Sequence, residues 1–322
     1  MKPLLISISV LMIISSCTGN REPLSLQTGD DSTTIYAGNR PLVSYVHSET
    51  PAPEGQNPLY RRSAYIHPLR SPGGEVLTRI QPPDHLHHYG IWNPWTRTHF
   101  GTDTVDFWNL ADGQGTVRFK EYTESHQQAS GAGFTAAQEH IWFKGDGSEG
   151  VAMNELFEVE VHDSREKSYL VDLSSTLSTP LESGITLEAY RYGGGIGFRA
   201  TEKWHTSNST VLTSEGKTRA DADGTQARWA IIEGETSVPE GRSGILFLSH
   251  PQNQAHPEPM RVWPADQYDG QSNVFFEFCP IRHREWVLEP GQSYTLRYRL
   301  VVFDGTMDAE TAEMYWKEWS VE

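Results

Sequence analysis

The chain has 322 residues, with 42 acidic against 26 basic side chains and a formal net charge of −16. Such a surface repels nucleic acid, and no basic cluster longer than two residues interrupts it apart from Arg282, His283 and Arg284. The two cysteines, Cys17 and Cys279, are both accounted for below without an intrachain disulfide.

The first residues read as an export signal. Lys2 supplies a positive start, residues 4–14 are apolar, and Ser15 and Ser16 precede Cys17. The apolar run is short of the roughly 20 residues a spanning helix needs. It fits a signal peptide over residues 1–16 that ends in a lipobox, Ile14-Ser15-Ser16-Cys17, with the Cys17 thiol accepting lipid. A lipid anchor plus an N-acyl chain holds a protein stably on a membrane. Residues 17–32 are polar and aperiodic and read as a lipidated tether. No acidic run directly follows Cys17, which places the protein on the periplasmic face of the outer membrane. Residues 33–322 then form one domain.

Strand signals fill that domain. Residues 41–49, 60–69, 116–124, 133–143, 154–163, 168–178, 185–192, 195–200, 227–234, 244–251, 273–280 and 294–305 are short, alternating or β-branched, and bounded by Gly, Pro, Asn or Asp. Phe157, Val159 and Val161 alternate with Glu158, Glu160 and His162, as a half-buried strand requires. Only residues 307–320 read as a helix, with Asp308 as its N-cap and Ala312, Tyr315, Trp316 and Trp319 on one face. The expectation is an all-β, large antiparallel sandwich with a short C-terminal helix. Cys279 lies in a strand and reads as a small buried hydrophobe.

Chemistry concentrates in residues 81–109, which hold Asp84, His85, His87, His88, Trp92, Trp95, Arg97, His99, Asp103, Asp106 and Trp108. Pro82 and Pro83 prevent regular helix, and loops on rigid scaffolds carry function. Imidazole can move protons near neutral pH, bond hydroxyls, or bind metal. In an extended chain His85 and His87 face one side and His88 the other. His85 and His87 could then ligate a metal, with His67, His99 or a carboxylate as a third ligand. No other cofactor is expected. Elsewhere, Glu188 is a candidate base or an ion-paired strand carboxylate. Arg199 could recognise a carboxylate or hydroxyl cluster with its rigid fork. His250 and Asn253 lie on a Pro-rich loop able to close over a cleft.

A family resemblance runs through these same residues in order. His67-Pro68-Leu69, the DHLHHYGIW element starting at Asp84, Asp106-Phe107-Trp108, GGIGFRA ending at Ala200, Arg228-Trp229, SHPQN ending at Asn253 and the closing YRLVVFDG resemble the bacterial family catalogued as "methane oxygenase PmoA". The resemblance implies a secreted β-sandwich carried near polysaccharide-degrading genes, with His67, Asp84, His85, His87, His88, Arg199, His250 and Asn253 as its matching residues. The chain has Tyr89 where an Arg is common, and Met260-Arg261-Val262-Trp263 where the family tends to show Trp-His-Val-Arg. No apolar helical bundle of the kind a membrane monooxygenase subunit needs is present in the sequence. The strand content and the Gly-rich run at residues 193–195 also resemble, more distantly, the galactose-mutarotase-like supersandwich, which binds sugars on a concave sheet.

The leading expectation is therefore an exported lipoprotein acting on carbohydrate, as a lyase, hydrolase or epimerase. His85 and His88 would be its acid and base, Asp84 would orient them, and His67, His87, Trp92, Trp95, Arg199, His250 and Asn253 would hold the sugar. The alternatives are a non-catalytic glycan-binding lipoprotein and a His-ligated metal-dependent enzyme.

Overall fold

Period-two alternation builds two large antiparallel sheets and decides what each face touches. The computed structural model describes residues 22–128, 130–267 and 273–322; the signal peptide and Cys17 lie outside them. A nine-stranded sheet runs from the edge strand Leu24–Thr28 through Ser32–Ala37, Arg40–Val46, Tyr65–Leu69, Ile91–Trp92, Ile196–Arg199, Phe275–Phe278 and Glu258–Val262 to Gln226–Ala227. An eight-stranded sheet runs Ser209–Thr213, Trp229–Glu235, Arg242–Ser249, Ser293–Asp304, Ser168–Ser178, Glu149–His162, Gly131–Phe143, Gly115–Gln128. A small four-stranded sheet joins Trp286–Leu288, Ile185–Leu187, Thr98–Phe100 and Asp103–Val105.

The main core fills the space between the two large sheets. Ile35, Val43, Ile91, Phe198 and Phe276 from one layer meet Val159, Leu173, Ile245, Phe247 and Leu300 from the other. Each fully buried side chain of this size contributes about 1.5–3 kcal/mol. The predicted alternation holds: Phe157, Val159 and Val161 are buried while Glu158 is exposed. The opposite face of the eight-stranded sheet presents Leu246, Leu248, Val301 and Phe303, which the C-terminal helix Ala309–Trp319 covers with Ala312 and Trp319. Asp308 caps that helix by accepting the Thr311 N–H at 2.8 Å. Cys279 is buried with a free thiol.

Three expectations about element limits need correction. The segment assigned to the tether already contains strand Leu24–Thr28, which pairs with Ser32–Ala37. Leu24 enters the core, a pattern hidden by polar Ser25, Gln27 and Thr28. The strand expected over 60–69 is confined to Tyr65–Leu69, because Ala64 adopts a left-handed conformation with φ 63° that breaks an extended run. The strand expected over 185–192 ends at Leu187, and Glu188 turns aside to meet Arg97 and His99.

Candidate functional site

The site grows from the middle of the nine-stranded sheet. Trp92, Gly197, Glu277 and Arg261 stand in line across four neighbouring strands, while Ile91, Phe198, Phe276 and Val262 form the next row. The second row enters the core. The first therefore points the other way, together with Arg199 and its cross-strand partner Phe275. No α-helix covers this face among the described residues; loops with two short 3-10 turns do.

The loop carrying the histidines is laid onto Arg199 by backbone. The Arg199 N–H donates to the Gly90 carbonyl at 2.8 Å and the Gly90 N–H to Arg79 at 2.9 Å. Gly90 has φ 63°, and a Cβ there would sit 2.3 Å from the Ile66 oxygen, so only glycine fits. Ahead of it the chain is turned rather than extended. The His85 N–H bonds Pro82 O, the His88 N–H bonds His85 O, and the Gln81 N–H closes the loop on His88 O at 2.8 Å. The expected split of the histidines onto two sides is overturned: the turns gather all three imidazoles, with ring centroids 5.5 Å (His85 to His87), 4.7 Å (His85 to His88) and 4.8 Å (His87 to His88) apart.

Arg199 organises the charge. Its side chain is fully buried and lies 4.8 Å over the Trp263 ring. It donates to Asp84 Oδ2 at 2.6 Å and to His88 Nδ1 at 3.4 Å. Asp84 Oδ2 also accepts from His85 Nδ1 at 2.9 Å, so His85 is oriented with Nε2 as its proton-accepting nitrogen. Burial pushes the Asp84 carboxyl up, but the His85 hydrogen bond and the Arg199 guanidinium outweigh it and hold the group well below the usual carboxylate range. Burial, then His85 and Arg199, push His87 down to about 3. Burial, then His87 and Arg199, hold His88 well below its ordinary value. Both are neutral hydrogen-bonding groups at physiological pH. His88, expected as an acid or base, is held neutral there, with one N–H and without the second proton of an imidazolium acid.

Aromatic rings complete the pocket. The Asp106 carboxylate accepts the N–H groups of Trp108 and Asn109, both at 2.8 Å, and fixes the turn that presents Trp108. Trp108 stacks with His88 at 5.5 Å and meets Tyr192 edge-on at 5.0 Å. Trp92 lies underneath, 5.2 Å from His88, as backing rather than lining. Tyr192 receives Arg261 Nη2 at 3.0 Å and Trp263 Nε1 at 3.2 Å on its hydroxyl oxygen, and Asp223 holds Arg261 at 2.8 Å. Gly193, next in the chain, donates its N–H to buried Glu277 at 2.7 Å. The resulting cavity of about 150 Å³ is lined by His85, His87, His88, Trp108, Tyr192 and Trp263, with Asn109, Tyr190 and Arg191 at its margin. It is smaller than the roughly 300–1,000 Å³ usual for small-molecule pockets.

Several expected residues lie elsewhere. Trp95 is buried in the main core against Trp286, at 6.1 Å, so it cannot stack on a ligand. His67 faces a separate cavity of about 580 Å³, bonds Thr78 Oγ1 at 2.8 Å, and is pushed down to about 4 by burial. His250 packs edge-on against Trp319 of the C-terminal helix. Asn253 bonds Glu258 and the backbone of Arg297, so neither forms a lid. His99 and Glu188 are bonded to each other at 2.8 Å. Among the described residues no group of three or more His, Cys, Asp or Glu side chains is placed to hold a metal ion, and neither His67 nor His99 joins His85 and His87. Conversely, Tyr192 and Trp263 line the cavity although neither was expected to hold a ligand. Trp263 had a signal, since Met260 and Val262 alternate inward and leave Arg261 and Trp263 on the other face; Tyr192 had none beyond its place before three glycines. Another cavity, of about 770 Å³, lies by the eight-stranded sheet, where Arg299 pairs with Asp172 and Glu322.

The fold and site together define an antiparallel β-sandwich protein with a histidine–tryptophan pocket on the outer face of one sheet. The chain belongs to a family of unknown function (DUF6807), whose model matches residues 32–317. A comparison with curated proteins gave no match. Among solved structures the chain is similar to the heparan sulfate lyase HepC of Pedobacter heparinus, at 9% identity and TM-score 0.37, covering 90% of this chain and 36% of that one. It is also similar to a galactose mutarotase related enzyme of Lactobacillus acidophilus, at 9% identity and TM-score 0.40 over 88% and 99%. A GalM/aldose epimerase homologue of C. elegans is similar at 8% identity and TM-score 0.35 over 88% and 99%. The chain thus spans about a third of the lyase, and likenesses this distant carry no argument about activity.

Proposed function

We propose that the protein is an exported lipoprotein that processes saccharides, with His85 as the proton acceptor, Asp84 orienting it, and Arg199 holding Asp84 in place. The observation that carries this reading is the hydrogen-bonded chain from buried Arg199 through the partly exposed Asp84 to His85, which ends in a pocket walled by Trp108 and Trp263. An oriented carboxylate–imidazole pair is the arrangement general base catalysis needs. Indole faces pack on the apolar C–H faces of sugar rings, and the neutral His87 and His88 bond hydroxyls without a charge penalty. Lipid attachment at Cys17 would keep the domain at the outer membrane's periplasmic face. The methane oxygenase name attached to the resembled family is no part of this reading; among the described residues no helix is long and apolar enough to cross a membrane.

The test is incubation of the mature chain with oligosaccharide libraries, read by mass spectrometry, alongside His85→Gln and Asp84→Asn. The reading expects turnover by the wild type and a fall of about 100-fold or more in His85→Gln. Binding without turnover in the wild type would establish instead a glycan-binding lipoprotein. No saccharide bound or converted would refute both.

A further inference from the structure

The Tyr192 hydroxyl is held by two donors beside the ligand cavity. The phenol oxygen receives the Arg261 guanidinium at 3.0 Å and the Trp263 indole N–H at 3.2 Å. Both groups can only donate, so the oxygen's accepting capacity is filled from the protein side. Its own O–H must donate, and among the described residues it meets no acceptor. Tyr192 is half-buried and borders the same cavity as His85.

One buried indole touches both residues. The His85 ring lies 4.8 Å from the Trp263 ring, and the Trp263 Nε1 is the atom that touches the Tyr192 oxygen. Both residues line one cavity with Trp263, so a saccharide group entering it meets His85 and Tyr192 together. The Arg191 and Arg261 guanidiniums face the Tyr192 ring at 5.2 and 4.9 Å, so the negative charge left by a departing phenol proton would meet two cations.

The geometry points to Tyr192 as a second catalytic residue of the proposed site, the proton donor to a saccharide oxygen, opposed to His85 as the proton acceptor. This rests on the saccharide reading above and adds a reaction class to it. His85 takes a proton from a C–H or O–H of the sugar, and the electron pair released forms a C=C or C=O bond. The neighbouring C–O bond breaks, and its oxygen takes the Tyr192 proton. One proton enters the protein and one leaves, without oxidant or reductant. Water then reprotonates the phenolate and deprotonates the imidazolium. That balance describes elimination at a glycosidic bond or opening of a cyclic hemiacetal, not hydrolysis. Arg261, held by Asp223 at 2.8 Å, is a positioning residue that keeps the phenol turned toward the ligand.

The experiment uses the mature chain and an oligosaccharide that the wild type converts. Tyr192→Phe is expected to lower kcat by about 100-fold or more, in the range of a lost general acid, with KM changed less than about threefold. Thermal melting of each variant separates this loss from unfolding. Incorporation of 3-fluorotyrosine at 192, which acidifies the phenol without removing it, is expected to move the alkaline limb of the kcat profile to lower pH; a packing role would leave that limb in place. Product formed in ¹⁸O-water is expected to carry no solvent oxygen at the broken glycosidic bond. Full activity in Tyr192→Phe, or hydrolytic ¹⁸O uptake, would overturn the inference while a loss in His85→Gln left the saccharide reading standing. A wild type that converts no saccharide would overturn both.

Discussion

Glu258 offers a quantitative test of how the loop after strand Arg242–Ser249 is used. Its carboxyl is fully buried and accepts from Ser249 Oγ, Asn253 Nδ2 at 2.9 Å and Tyr298 Oη at 2.8 Å. Burial pushes it from 4.5 up to about 7, against the pull of those donors. Between these two values the folded chain keeps a proton that the unfolded chain has released. Its stabilising contribution is therefore full below about pH 4.5 and is lost as pH rises through about 7, at ~1.4 kcal/mol per pH unit, or about 3 kcal/mol in all. His67, at about 4, and His87, at about 3, act in the opposite sense: their contribution is lost as pH falls below their unfolded value of 6.5. The comparison must therefore be a difference. Glu258→Gln keeps the shape, stays neutral, and leaves the other groups in place. Urea unfolding of both proteins from about pH 5 to about pH 8 should show the variant gaining about 3 kcal/mol relative to the wild type across that range. A flat difference would refute the buried, protonated carboxyl and, with it, the structural role given to Asn253.

Four further outcomes follow. Gly90→Ala, with φ 63° and a Cβ directed at Ile66 O, should cost about 2 kcal/mol or more in chemical unfolding and weaken ligand binding by displacing the histidine loop. Trp95→Phe should lower stability by about 1–3 kcal/mol while leaving saccharide binding by calorimetry unchanged, whereas Trp108→Phe should weaken binding; the reverse order would place the ligand elsewhere. The His87 and His88 imidazole signals in NMR should not titrate between about pH 8 and about pH 5, because burial and Arg199 keep both neutral. Growth with labelled palmitate should tag the wild type and not Cys17→Ser, and an unlabelled wild type would remove the lipoprotein assignment.

The fold was legible because alternation is a local signal. Phe157, Val159 and Val161 declare one buried face within five residues, and the apolar stripe of the last helix does so within a turn or two. The edge strand Leu24–Thr28 was not legible, since one buried leucine among polar neighbours looks like linker. In the site, the dense DHLHHYG element identified the right loop but gave the wrong geometry. Two consecutive turns, set by backbone bonds to Pro82, His85 and His88, depend on contacts with Arg199, more than a hundred residues further along the chain. Trp95 and Trp108 illustrate the same limit. Both sit among polar residues in sequence, yet packing against Trp286 sends one into the core, while the Asp106 turn presents the other to the pocket. Tyr192 carried no local sign, because its role comes from Arg261 and Trp263 reaching it from another strand.

The most direct measurement is a crystal structure of the mature chain soaked with the oligosaccharide it converts, using Tyr192→Phe to slow turnover. The account predicts one sugar ring in the cavity between Trp108 and Trp263, with His85 Nε2 and the position of the missing Tyr192 hydroxyl each within hydrogen-bonding reach of the ring. A sugar found instead in the large cavity beside Arg299 and Asp172, with the histidine pocket unchanged, would contradict it.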